Sequence, residues 1–181
     1  MRSKPSLLTI LISITLVSLP LYVVRCSSFS FCIPPLPFTL LEFLILLTFF
    51  VWLLTKIRES HFFEIISEIR DKLPLRYQIL IFSFLFSALV ATLTSTNFIG
   101  ALGHYRAFFI EPLLLFIVIY DYLTVTKNFK LVLWSLFVSG LWLSLLALTE
   151  KTFGFNPGNP VEFLQRGRVS AVYTSSNAIG L

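Results

Sequence analysis

Five runs of almost uninterrupted apolar side chains punctuate this sequence: Ser6–Val24, Phe38–Thr55, Tyr77–Thr94, Phe108–Thr124 and Leu131–Thr149. A helix needs about 20 such residues to cross roughly 30 Å of hydrocarbon. Each run therefore reads as a membrane span. The balance of the chain agrees: 56% of residues are hydrophobic, 20 are Phe, and only 13% are charged. A water-soluble domain carries about 25% charged residues, and a core of this length could not hide so much apolar side chain. The net charge of +5 is no nucleic-acid signal, because the cations sit at the ends of the apolar runs. The implied partner is the lipid bilayer.

The segments between the runs differ in kind. Arg2 and Lys4 give the chain a basic start, but the first run is too long for a signal peptide and reads as a retained helix, kinked by Pro20 near its far end. Cys26 to Pro37 is a linker in which Pro34, Pro35 and Pro37 deny the backbone a helix. Its Cys26 and Cys32 have no partner at zinc spacing; they either pair in an oxidising compartment or stay unpaired. Glu42, in the first turns of the second run, reads as structural because it can reach water at the interface. In Lys56–Arg76, Phe62, Ile65, Ile66, Ile69 and Leu73 recur at helical spacing among nine charged residues, with Glu68 and Lys72 as an i,i+4 pair. That pattern predicts an amphipathic helix lying in the interface, ended by Pro74, with His61 a solvated surface residue.

Ser95–Ala107 reads as a polar loop, with Asn97, Gly100, Gly103, His104 and Arg106. The fourth run then opens near Glu111-Pro112 and carries Asp121 near its end. Thr126–Lys130 is a tight turn, and residues 150–174 form a loop around Asn156-Pro157-Gly158-Asn159-Pro160.

With five spans, alternate connections lie on opposite sides. One set holds nine cations: Arg2, Lys4, Lys56, Arg58, Arg70, Lys72, Arg76, Lys127 and Lys130. The other holds five: Arg25, Arg106, Lys151, Arg166 and Arg168. Loops richer in Lys and Arg stay cytoplasmic, so the N-terminus is expected inside and the 150–174 loop outside. Arg106, Arg166 and Arg168 then form an outward basic cluster that works against the same rule. Arginine suits bidentate phosphate recognition, but Arg106 and Arg168 could equally pair with Glu111, Glu150 or Glu162.

The stretch Arg168-Val-Ser170-Ala-Val-Tyr173-Thr-Ser-Ser-Asn177-Ala178-Ile179-Gly180 resembles a motif of the O-antigen ligase and O-antigen polymerase family. It departs from the family at Ser176, often Pro there, and at Ala171, often Gly. The block Gly103-His-Tyr-Arg106-Ala-Phe-Phe-Ile-Glu111-Pro112 is also similar, so the resemblance runs from about residue 77 to the end. The resemblance implies a polytopic enzyme of the bacterial inner membrane, acting without a metal or other cofactor in cell-surface polysaccharide biosynthesis. Such an enzyme moves a glycan from an undecaprenyl-diphosphate carrier to an acceptor hydroxyl on the outer side. Arg168, Arg106 and Asn177 are the residues it assigns to substrate, the arginines to the diphosphate. The catalytic groups would lie in a later outer loop; the one outward histidine, His104, has no orienting carboxylate near it in sequence.

The expected architecture is therefore an all-α, polytopic transmembrane bundle of five spans plus the start of a sixth, with one interfacial amphipathic helix. Residues 1–181 would form a single transmembrane region, the N-terminal part of a longer glycosyltransferase. The rival is a transporter or scaffold fragment whose arginines serve topology and anionic headgroups only. Glu111-Pro112 is the feature favouring transport, since intramembrane acids often mark ion paths.

Overall fold

The computed structural model describes residues 6–23, 39–59, 71 and 73–153, and these are all-helical. Among the described residues six α-helices are bounded, in order α1 (Leu7–Val17), α2 (Leu40–Glu59), α3 (Leu75–Leu93), α4 (Phe98–Tyr105), α5 (Glu111–Thr126) and α6 (Phe129–Phe153). A 3-10 turn, Leu19–Val23, follows α1, and a π-helical segment, Arg106–Ile110, joins α4 to α5. Among the described residues four stretches are long and apolar enough to cross a membrane: Leu40–Arg58, Leu75–Leu93, Phe98–Thr126 and Phe129–Phe153. Two compact units divide the chain, Met1–Leu44 with Asn128–Leu181, and Ile45–Lys127.

The surface is the reverse of a soluble protein's. On α3 only Thr92 is buried, while Phe82, Phe84 and Phe86 are more than half exposed. Soluble monomers rarely expose contiguous apolar patches beyond a few hundred Å². Buried positions, by contrast, include Thr15, Thr48, Glu111, Asp121, Ser135, Ser139 and Glu150. Hydrocarbon outside and small or polar groups at the helix contacts is the arrangement of a multi-pass membrane protein, where lipid offers apolar side chains as good a neighbour as a core does.

In the first unit α1 lies along α6 and buries Ile12, Thr15 and Leu16, one stripe at i, i+3 and i+4. Ser6 caps α1 by accepting from the Thr9 N–H at 3.3 Å. The first apolar run does not form the single helix that its length predicts. The α-helix ends at Val17, and only the tighter 3-10 turn continues to Val23. Pro20 explains the break: it has no N–H for the Leu16 carbonyl, and its ring crowds the preceding turn.

In the second unit α3 packs on α4, and Phe84 meets Phe109 with ring centroids 5.0 Å apart. The polar loop expected over Ser95–Ala107 is largely helix. Asn97 starts it, its side chain accepting from the Gly100 N–H at 3.1 Å. The fourth span thus becomes Phe98–Thr126, 29 residues or about 43 Å. That matches a bilayer including its headgroups.

Other boundaries shift for local reasons. Lys56 and Arg58 belong to α2 rather than to a separate amphipathic helix, and Leu75–Arg76 open α3. Residues 60–70 and 72 of that segment lie outside the described residues. Thr39 and Glu42 form a reciprocal cap on α2: the Glu42 N–H donates to Thr39 Oγ1, and the Thr39 N–H to Glu42 Oε2, both at 3.2 Å. This supports the structural reading of Glu42. The turn before α6 is made by Lys127 in the left-handed region, φ 53°, its N–H closing on the Leu123 carbonyl at 3.0 Å. Glu150 to Phe153 belong to α6 rather than to the expected 150–174 loop, and the remaining residues of that loop lie outside the described ones.

Candidate functional site

The polar chemistry of the second unit centres on the Phe98–Thr126 helix, which carries two buried carboxylates, Glu111 and Asp121. Pro112 sits in the first turn of α5 and has no N–H to offer the Phe108 carbonyl. The ladder widens just before it. The Glu111 N–H reaches back five residues to the Arg106 carbonyl, closing a π-turn over Arg106–Ile110.

This turn decides where Arg106 points. In a regular α-helix residues five apart lie about 140° apart around the axis and cannot meet. A turn that closes on the fifth residue brings them nearly into line. Arg106 Nε accordingly lies 3.2 Å from Glu111 Oε1. The glutamate side chain is 3% exposed and the arginine side chain 39%. A buried anion is thus used to hold a cation that keeps a solvent- or lipid-facing surface. His104 and Tyr105 stack on Phe108 and Phe109 beside it, at 5.7 Å between centroids in each case.

Glu111 does not lie near the start of its span, as the sequence predicts. It is 13 residues in from Phe98, about 20 Å along a 43 Å helix, and so close to its midpoint. Arg106 lies about 12 Å along the same helix.

Near the other end of the helix Asp121 forms a second site. Trp52 Nε1 donates to Asp121 Oδ2 at 3.0 Å, and Lys56 Nζ lies 3.3 Å from Oδ1. Trp52 and Asp121 are buried, and Phe49 packs on the Trp52 ring at 5.4 Å. Trp52 and Lys56 are late in α2 and Asp121 is late in α5, so these two helices run in the same direction. Alternating spans require that of the second and fourth runs.

Of the residues expected to bind substrate, Arg106 has a defined place, and its partner is Glu111. Arg168 and Asn177, with Arg166, Cys26 and Cys32, lie outside the described residues. The sequence reading missed the Trp52–Asp121–Lys56 cluster. An acid and a lysine in separate apolar runs were a signal that each needed a partner. Among the described residues no group of three or more His, Cys, Asp or Glu could hold a metal ion. Comparisons with family models, with curated proteins and with solved structures find no match to this chain.

Proposed function

We propose that this chain is the membrane part of an O-antigen ligase-like glycosyltransferase, moving a glycan from undecaprenyl diphosphate to an acceptor in cell-surface polysaccharide biosynthesis. Besides the Arg168–Gly180 pattern, one observation carries the reading: Arg106 is oriented by a buried glutamate on a π-turn and keeps a large part of its surface accessible. A diphosphate leaving group needs its negative charge stabilised, and preoriented cationic donors in a low-dielectric setting do this well. Arg168 and Arg106 would hold the diphosphate, with Asn177 beside them, on the outer face of a bacterial inner membrane whose cytoplasmic side carries the N-terminus.

The midpoint position of Glu111 favours a second reading, transport, because intramembrane acids often mark ion paths. Against it, the Glu111 charge is already compensated by Arg106.

The test compares Arg168→Lys with Arg168→Ala in the complete protein, at equal membrane expression. Losing a hydrogen bond to a charged group costs about 1.5–3 kcal/mol, or roughly ten- to more than a hundredfold in rate if it is made in the transition state. Lys should rescue only part of that, since it cannot bond in a bidentate way. Equal activity of the Lys variant and wild type would leave Arg168 as a topology anchor only.

A further inference from the structure

The geometry points to a binding site for an anionic diacyl phospholipid at the N-terminal end of α6. Two grooves flank Trp134 there. One, of about 260 Å³, is lined by Lys130, Leu133, Trp134 and Phe137. The other, of about 620 Å³, is lined by Val17, Asn128, Lys130, Leu131, Trp134 and Ser135, with Val138 beyond. Lys130 and Trp134 are shared by both. Trp134 is 64% exposed, and its ring is braced edge-on by Phe137 at 5.5 Å. One phosphate at Lys130 with a hydrocarbon chain down each side of Trp134 matches that layout.

Charge and hydrogen-bonding capacity fit an anionic headgroup. Lys127 and Lys130 flank the start of α6, whose first amides have no intrahelical acceptor. A helix start attracts phosphate through those amides and the helix dipole. Asn128 Oδ1 accepts from the Leu131 N–H at 3.4 Å, so a side chain at this helix start already uses one of its amides as a donor.

The independent sign of a ligand is Ser135. A serine inside an apolar helix normally returns its hydroxyl to the carbonyl one turn back. Ser13, Ser83, Ser87, Thr92, Ser144 and Thr152 all do so. Ser135 is only 6% exposed, lines the larger groove, and makes no hydrogen bond among the described residues. A hydroxyl kept in hydrocarbon without a partner is costly, and the ester carbonyl of a lipid chain in the groove is an acceptor of the right kind. Ser139, one turn on, is buried and unbonded in the same way but does not line the groove. It serves as the control.

The probe is phosphatidylglycerol brominated on both acyl chains, which quenches tryptophan on contact. The protein is reconstituted in phosphatidylcholine vesicles holding a rising fraction of it. The Trp134 component, defined as what Trp134→Phe removes, should saturate at a low fraction; brominated phosphatidylcholine should quench it only in proportion to its abundance. Lys130→Gln should raise the half-saturating fraction roughly fivefold. Ser135→Ala should raise it roughly two- to tenfold, and Ser139→Ala should not move it. Unchanged emission in unbrominated vesicles checks that each variant is folded. Identical curves for the two brominated lipids, or no shift on Lys130→Gln, would reduce the grooves to ordinary lipid contact. Displacement by inorganic phosphate as effective as that by unbrominated phosphatidylglycerol would make this a phosphate site and overturn the lipid assignment.

Discussion

The indole N–H of Trp142 donates to the backbone carbonyl of Val17 at 2.9 Å, joining α6 to the end of α1. The bond exists because α1 stops where it does. In a continuing α-helix the Val17 carbonyl would accept from the Leu21 N–H. Here Leu21 donates to Ser18 instead, at 2.9 Å, as the chain tightens into the 3-10 turn around Pro20. The freed acceptor lies in a membrane protein, where bulk water is scarce, and the indole supplies its donor.

Trp142→Phe should therefore destabilise the first unit beyond the loss of ring area. Leaving a buried carbonyl unsatisfied costs about 1–3 kcal/mol in soluble proteins, while side-chain bonds inside membranes average nearer ~0.6 kcal/mol. A lowered thermal midpoint in detergent is expected. Pro20→Ala should let α1 continue and return the Val17 carbonyl to its own helix, so that adding Trp142→Phe in that background costs less. Equal costs in both backgrounds would sever the link between the proline and the indole.

The Trp52–Asp121–Lys56 cluster makes a different prediction. Removing one member of a buried ion pair strands the other and costs about 3–5 kcal/mol, whereas removing both with shape kept is often nearly neutral. Lys56→Met keeps the apolar stem, and Asp121→Asn keeps an acceptor for the Trp52 N–H. Each single variant should lower thermal stability clearly, and the double variant should recover most of the loss. Additive losses would show that the two charges do not stabilise one another.

Orientation can be checked without reference to function. Nine cations against five predict Ser67 on the cytoplasmic side and Gly158 outside. The shared direction of α2 and α5 fits that alternation. An impermeant thiol reagent added outside should label Gly158→Cys and spare Ser67→Cys. The opposite pattern would invert the topology.

Four of the five expected spans were legible because a membrane helix is specified by length and apolarity, which a single sequence displays directly. The first run falls short because its α-helix stops at Val17, before Pro20. The sequence reading places the α2 start two residues early, at Phe38, because it misses the reciprocal cap of Thr39 and Glu42 that sets it. What failed depended on polar residues whose role is set by neighbours. Asn97, Gly100, Gly103 and His104 look like a loop, but Asn97 is a cap and Gly100 and Gly103 are accommodated in a helix. That error placed Glu111 near a span's beginning when it is near its middle. The Lys56–Asp121 contact joins residues far apart in sequence, and no local pattern announces it.

The Arg106–Glu111 pair follows from one proline, and that makes it the sharpest test of the site. Pro112→Ala restores the missing N–H, so the ladder can close from residue 112 to the Phe108 carbonyl as an ordinary α-turn. Residues 106 and 111 would then stand about 140° apart and separate. The measurement is a double-mutant cycle with Arg106→Gln and Glu111→Gln, read as thermal stability in detergent. In the wild-type background contacting charges should couple by about 0.5–3 kcal/mol. In the Pro112→Ala background the coupling should fall towards zero, even if removing the proline stabilises the helix as a whole. Any carrier-lipid binding that depends on an oriented Arg106 should weaken in parallel. Coupling of equal size in both backgrounds would mean that the pair does not need the π-turn, and the proline would lose its role in setting the site.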